Sequence, residues 1–326
     1  MQFMARRKSM KTESAEMTLT FPIGTVGTNT MKTIDLSQCA SLANRRFYRQ
    51  GLNWVVSGFT LHATAGSGTI GISRLPQTWV VSNAWEKGMR HWLRQQNEAV
   101  DEAGLESAVA RFRDFKIHMD KTHVDDTFLD NYIPAVRDNA GTGWTYYTQG
   151  EWDSSLVVIP NEGGVAGNTQ KFSLNMIGDN DPAPSQSKGL IKAYQESRGV
   201  PQSPDPATPP GIEVGLFNQM FDVGMDNEDV VDNAVDRNDN LPYPQMDYPG
   251  GDVNVNGLVF HDALTISGTT VSGKTTCSGA TFPCGLIRLR VDPGLAAVGG
   301  EPVAFLQVHL VPGNHRGYMA ESMVEM

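Results

Sequence analysis

The sequence predicts an all-β protein, an eight-stranded antiparallel sandwich with long loops and one or two inserted helices. Three observations lead there. Charged residues make up only 19% of the 326-residue chain, while Gly, Thr, Ser and Val recur, a mixture that favours short strands joined by turns. Short segments rich in β-branched and aromatic residues follow one another along most of the length. The helical stretches fall among them without the regular alternation that a doubly wound parallel sheet needs.

Taken in order, strands are expected at 17–22 and 30–36, interrupted by Pro22, Gly24 and Gly27. LSQCASLAN (36–44) suits a helical turn or two. NWVVSGFTLHATA (53–65) alternates and reads as a strand, with GTIGISRL (68–75) as its expected partner. The best helix spans 83–103: Asn83 and Glu86 have capping-box spacing, Trp85, Met89, Trp92, Leu93 and Gln96 share a face, and Gly104 ends it. That aromatic stripe reads as core packing. Further strands are expected at 113–119, 143–148, 154–159 and 170–177. A short helix fits 188–198, with Leu190, Ile191 and Tyr194 inward and Gly199 as its stop. The last strands are expected at 256–266, 284–291 and 302–311.

Around this body, residues 1–16 form a polar, basic N-terminal arm, expected to be flexible, and residues 17–326 form one domain. Two long loops interrupt it, the five-proline stretch 200–211 and an acidic loop at 222–252. The acidic loop carries nine acidic side chains against Arg237 alone, a net −8. The whole chain is −10, so the remainder is only −2. The first cations, Arg6, Arg7, Lys8 and Lys11, precede every acid. No apolar run is long enough for a membrane span, and no apolar h-region follows the basic start, so no secretory signal is expected. Three cysteines (Cys39, Cys277 and Cys284) argue against a disulfide scaffold and suit a reducing compartment.

Two nucleotide motifs fail on context. Gly268–Thr275 (GTTVSGKT) matches the phosphate-loop pattern, but TTCSGATFPCG after it cannot make the helix whose N-terminus holds the phosphate. Lys274 therefore reads as a solvated lysine on a loop between strands. Gly66–Gly71 (GSGTIG) matches a dinucleotide fingerprint, yet Pro76 blocks a helix, and a hairpin turn is the simpler reading.

Other constellations are weaker. His118, Asp120, His123, Asp125 and Asp126 have ligand chemistry, with a strand end and polar turn as the plainer reading, so no metal is expected. DRNDN (236–240) echoes a calcium loop but has Leu241 where glycine belongs. No catalytic set and no cofactor are expected. In NRRFYRQG, Arg45, Arg46 and Arg49 interleave with Phe47 and Tyr48. That combination grips phosphate and stacks bases, or else pins a strand to its neighbour.

Four stretches carry a resemblance. They are LSQCASLANRRFYRQGLNW (36–54), TWVVSNAWEKGMRHW (78–92), the acidic loop ending in NLPYP, and VHLVPGNHRGYMAE (308–321). Together they resemble capsid proteins of small circular Rep-encoding single-stranded DNA (CRESS-DNA) viruses, over about residues 33–321. The resemblance implies a single jelly roll that assembles as a homo-oligomer into an icosahedral shell around circular single-stranded DNA. It also implies a virion protein present in the host nucleus or cytoplasm during assembly, with no membrane insertion and no enzymatic activity. The implied DNA contacts are Arg6, Arg7, Lys8 and Lys11 of the arm, with Arg45, Arg46 and Arg49, each neutralised phosphate releasing counterions. This arm has only four positive charges, fewer than the family often carries. Two other functions compete: a β-sandwich module that binds carbohydrate or a cell surface, and a nucleotide hydrolase using Lys274 and Thr275.

Overall fold

The computed structural model describes residues 13–23, 31–104, 113–125, 131–138, 143–160, 169–178, 187–196, 257–295 and 302–325. Strand dominates. Antiparallel β1 (Thr18–Ile23), β13 (Ala304–Leu310), β3 (Leu52–Ala63) and β11 (Lys274–Phe282) lie side by side in that order, and β16 (Ala320–Ser322) also pairs with β3. A second antiparallel sheet runs β10 (Val259–Ile266), β4 (Gly68–Arg74), β12 (Leu286–Val291) and β2 (Met31–Asp35).

The inward residues of both sheets form one buried cluster. Phe21, Phe59, Leu61, Phe282 and Leu306 meet Ile34, Ile70, Ile72, Leu264 and Leu289. Period-two alternation produces this: along β13, Ala304, Leu306, Val308 and Leu310 are buried while Phe305, Gln307 and His309 face out.

The register fixes two ends. At one, Ile23 and Ala63 pair with Ala304, Lys274 pairs with His62, and Gly68 pairs with Ile266. The links 64–67 and 267–273 therefore gather there, with Asp292 to Leu295 and Val303. At the other lie the start of β1, the end of β13, the 36–51 link with helix α1 (Leu36–Asn44), and the 75–258 insertion.

The insertion builds a second core. Helix α2 (Trp79–Ala103) packs Val80, Val81, Ala84 and Trp85 against Phe115, Ile117, Leu174, Met176, Leu190 and Leu286. The helices α3 (Lys121–Asp125) and α4 (Leu190–Glu196) also belong to the insertion. So do the pair β5 (Ala135–Arg137) and β6 (Trp144–Tyr146), and the sheet β7 (Leu156–Pro160), β8 (Thr169–Asn175) and β9 (Ser187–Gly189). A last small pair, β14 (Pro312–Gly313) and β15 (Gly317–Tyr318), precedes β16.

Several expectations are corrected. The described residues hold sixteen strands and four α-helices, more than eight and two, because the insertion and the C-terminal tail carry elements of their own. β4 does not pair with β3. Their link crosses between the sheets; Thr64 N–H donates to Val303 O at 2.8 Å, and Asp292 N–H donates to Thr69 O of β4 at 3.0 Å. Gly66 sits there at φ +84°, and a Cβ would come 2.6 Å from Gly294 O, so its glycine serves an inter-sheet crossing and not a hairpin.

α2 begins at Trp79, capped by the backbone of Thr78, because burying Val80 and Val81 outweighs the capping box; Asn83 lies inside the helix. Gly104 does end it, at φ 63°. Segment 113–119 forms no strand, and its one bridge is His118 to Asn175. In the second short helix, Ser187–Gly189 is strand and the helix starts at Leu190; Gly199 lies outside the described residues, as do 200–211 and 222–252.

The largest miss is β11, read as loop. Thr275, Cys277 and Gly279 to Thr281 are only half-buried, and Phe282 at its end is the one fully buried residue, so the strand gives little apolar alternation. Gly279 is required all the same, since a Cβ would overlap the Val56 carbonyl oxygen of β3.

Candidate nucleic-acid interface

The arginine-bearing loop leaves α1 at a strained turn. Asp35 caps the helix, accepting from Ser37 N–H at 2.9 Å and Gln38 N–H at 3.3 Å. Arg45 ends it in the left-handed region, φ 54°, which non-glycine residues seldom adopt. Arg316, φ 49°, has the same conformation in the tail and donates to the Phe47 carbonyl. Two of the four described non-glycine residues at positive φ are thus arginines on one patch, and such strain persists where surrounding structure enforces it.

Beneath the loop lies a buried anchor. Gln50 is fully buried and binds the Ile117 backbone twice, accepting its N–H at 2.6 Å and donating to its carbonyl at 3.0 Å. Its Nε2 also donates to Asp35 Oδ2 at 3.1 Å, which further accepts Trp152 Nε1–H at 3.2 Å. Gln50 N–H donates to Asp114 Oδ2 at 3.3 Å. Burial raises the Asp35 pKa against those hydrogen bonds, and burial pushes Asp114 up to about 6.

On this anchor Arg45 and Arg49 are exposed, Arg46 is half-buried and Phe47 is 63% exposed. Tyr48 instead turns inward. It is fully buried, 5.3 Å from the Tyr318 ring and 5.9 Å from Trp54, and its hydroxyl donates to Arg316 O at 2.9 Å. Tyr48 thus pins the loop, the second of the two sequence readings, while Phe47, Arg45 and Arg49 face outward. Arg316 was missed, because an isolated arginine in a tail gives no spacing signal.

The root of the arm is bound to this patch. Glu16 N–H donates to Asn44 Oδ1 at 2.9 Å, and Tyr318 Oη–H donates to Glu16 O at 2.7 Å. Arg46 Nη1 lies 3.1 Å from Ser14 O and 3.4 Å from Glu13 Oε2. Residues 13–16 are thus held on the body, beside Arg45, Arg46 and Arg316. Arg6, Arg7, Lys8 and Lys11 lie outside the described residues. What the patch offers chemically is anion binding by guanidinium groups with one aromatic face for stacking.

The other motifs resolve as follows. Lys274 starts β11 opposite His62, at the end of the two sheets away from the arginine loop, and a strand follows where a phosphate loop needs a helix. Gly66–Gly71 leads into β4. His123 uses both ring nitrogens, Nδ1 accepting from Met119 N–H at 3.0 Å and Nε2 binding Asn131 Oδ1 at 2.7 Å. Asp120 pairs with Arg288 at 2.6 Å. Burial, with the neighbouring His123, lowers the His118 pKa to about 2. Among the described residues no three His, Cys, Asp or Glu side chains are grouped to hold a metal. Asp126 and 236–240 lie outside them. Cys39, Cys277 and Cys284 are free thiols.

No protein-family model, curated protein or solved structure matches this chain.

Proposed function

We propose that this chain is a capsid subunit, a jelly roll that self-assembles into a small icosahedral shell around circular single-stranded DNA. The observation that carries the reading is the strand order. β1-β13-β3-β11 facing β10-β4-β12-β2 follows from winding eight successive strands as two Greek keys, the plan of jelly rolls in viral capsids. β16 and the insertion are additions to that plan.

A jelly roll alone does not choose a function, because lectins and cupins share it. The choice of nucleic acid over glycan rests on the basic patch. It joins Arg45, Arg46, Arg49 and Arg316 to the root of an arm bearing Arg6, Arg7, Lys8 and Lys11. In an otherwise acidic chain this end faces the genome. The partners are then further copies of the chain and single-stranded DNA. The location is the virion, with the host nucleus or cytoplasm during assembly. No described helix is long and apolar enough to cross a membrane.

The test is recovery of nuclease-resistant DNA with the purified protein. Protected single-stranded DNA, lost when the four arm cations and Arg45, Arg46 and Arg49 become alanine, is the expected result. A protein that protects no nucleic acid and binds a glycan array instead overturns the reading.

A further inference from the structure

A second concave site lies in the insertion, between α2 on one side and β7, β8 and α4 on the other. Its volume is about 620 Å³, within the range of sites for small organic ligands. Its floor is apolar and aromatic, with Trp92, Phe172, Leu174 and Tyr194 among the lining residues. Its width is set by sequence. A Cβ at Gly88 would approach Leu190 Cδ2 to 2.7 Å, so glycine lets α4 close in on α2. Gln95 spans the far side, donating to Val158 O at 2.6 Å and accepting from Val158 N–H at 3.1 Å, and so caps the edge of β7 as a strand would.

The charge of this cleft opposes that of the chain. Lys87, Arg94 and Lys188 line it against Glu98 alone, a net +2 before His91, in a protein of net −10. The two lysines sit over aromatic rings: Lys188 Nζ is 4.5 Å from the Phe172 centroid and Lys87 Nζ 5.8 Å from that of Tyr194. Cations next to flat apolar surfaces suit a ligand with a planar base and an adjoining phosphate. Trp92 also lines a neighbouring cleft of about 420 Å³ that contains Arg49 and Arg113. That links the site to the arginine loop.

We propose that this cleft binds one nucleotide unit of single-stranded DNA, the base among Trp92, Phe172 and Tyr194 and the phosphate between Lys87 and Lys188. The inference rests on the nucleic-acid part of the proposed function and adds a place on the strand's path distinct from the arm and the arginine loop.

The test uses the full-length chain with Arg6, Arg7, Lys8 and Lys11 changed to alanine, so that the arm makes no contribution. Fluorescence anisotropy reads binding of labelled dT8, with dTMP and dodecanoate as unlabelled competitors. The account expects dT8 to bind and dTMP to compete at higher concentration. It expects the double variant Lys87→Ala/Lys188→Ala to bind about tenfold or more weakly, the loss of roughly one stacked, charge-paired nucleotide. Ala193→Trp, which fills the mouth from an exposed position, has the same effect with an unchanged melting temperature. An oligonucleotide carrying 5-iododeoxyuridine crosslinks to Trp92 or Tyr194. Unchanged affinity in both variants with crosslinks confined to 45–49 overturns the proposal, as does competition by dodecanoate but not dTMP. If the arm variant binds no dT8 while the unaltered chain still protects DNA, this inference fails and the capsid reading stands.

Discussion

Arg46 and Glu13 meet across 33 positions of sequence, Nη1 to Oε2 at 3.4 Å, with the two side chains 38% and 37% exposed. So exposed a pair contributes little to stability. Its consequence is positional, because it holds the start of the described chain against the loop that carries Arg45 and Arg49.

The stronger clamp on the arm root is Tyr318, whose hydroxyl accepts from Asn44 Nδ2 and donates to Glu16 O, each at 2.7 Å. Tyr318→Phe keeps the ring packed and removes both bonds, costing about 1–3 kcal/mol. Hydrogen exchange at residues 13–17 is expected to speed up markedly while the β3–β13 amides stay protected. Equal acceleration in both regions would mean that the hydroxyl supports the whole core.

Under the proposed function, the exposed arginines act on phosphate. Changing Arg45 and Arg49 to alanine is expected to weaken single-stranded DNA binding evenly across sequences. Each lost phosphate contact lowers the slope of log K against log salt by about 0.7. Titrations at several salt concentrations check this. Phe47→Ala instead lowers affinity with the salt slope unchanged, because a stacking contact releases no ions.

Asp114 gives the interface a pH signature. Its folded pKa, about 6, lies above the ordinary 3.8 because burial disfavours the charge. The native state therefore holds a proton that the unfolded chain has lost between those values. This contribution to stability is fully present below pH 3.8 and is lost as pH rises through 6. Asp114→Asn retains an acceptor for Gln50 N–H. It is expected to raise stability at pH 8 by about 1–3 kcal/mol and to leave it nearly unchanged at pH 4. Thermal melts across that range read the difference. His118 acts oppositely, losing stability as pH falls below 6.5, so the comparison is made variant against parent at each pH.

Gly279→Val places a branched side chain where the Val56 carbonyl passes. Separation of β11 from β3 or a shift in its register follows, with a loss of about 3 kcal/mol or more. Val271→Ala, at an 85% exposed position in the preceding link, is the control and changes the melting temperature little.

Much of the two antiparallel sheets was legible because their strands alternate. β12 and β13 bury apolar residues at every second position, β3 does so on either side of a shift at Ser57–Gly58, and their places were read to within a few residues. β11 half-buries Thr275, Cys277 and Gly279 to Thr281 and fully buries only Phe282 at its end, so its burial comes from neighbours that sequence periodicity does not see. Pairing was less legible than existence. Nothing local tells Gly68–Arg74 to leave β3 and join β12, because the bonds that decide it come from residues more than 200 positions away. The site followed the same division. Arg45, Arg46 and Arg49 stood out by interleaving with aromatics, whereas Arg316 and the α2–α4 cleft arise only when distant segments meet.

The measurement that bears most directly on the account is electron microscopy of the expressed full-length protein, with absorbance at 260 and 280 nm read on the same fraction. The account predicts uniform closed particles with excess absorbance at 260 nm. A monodisperse monomer free of nucleic acid under every assembly condition would contradict it.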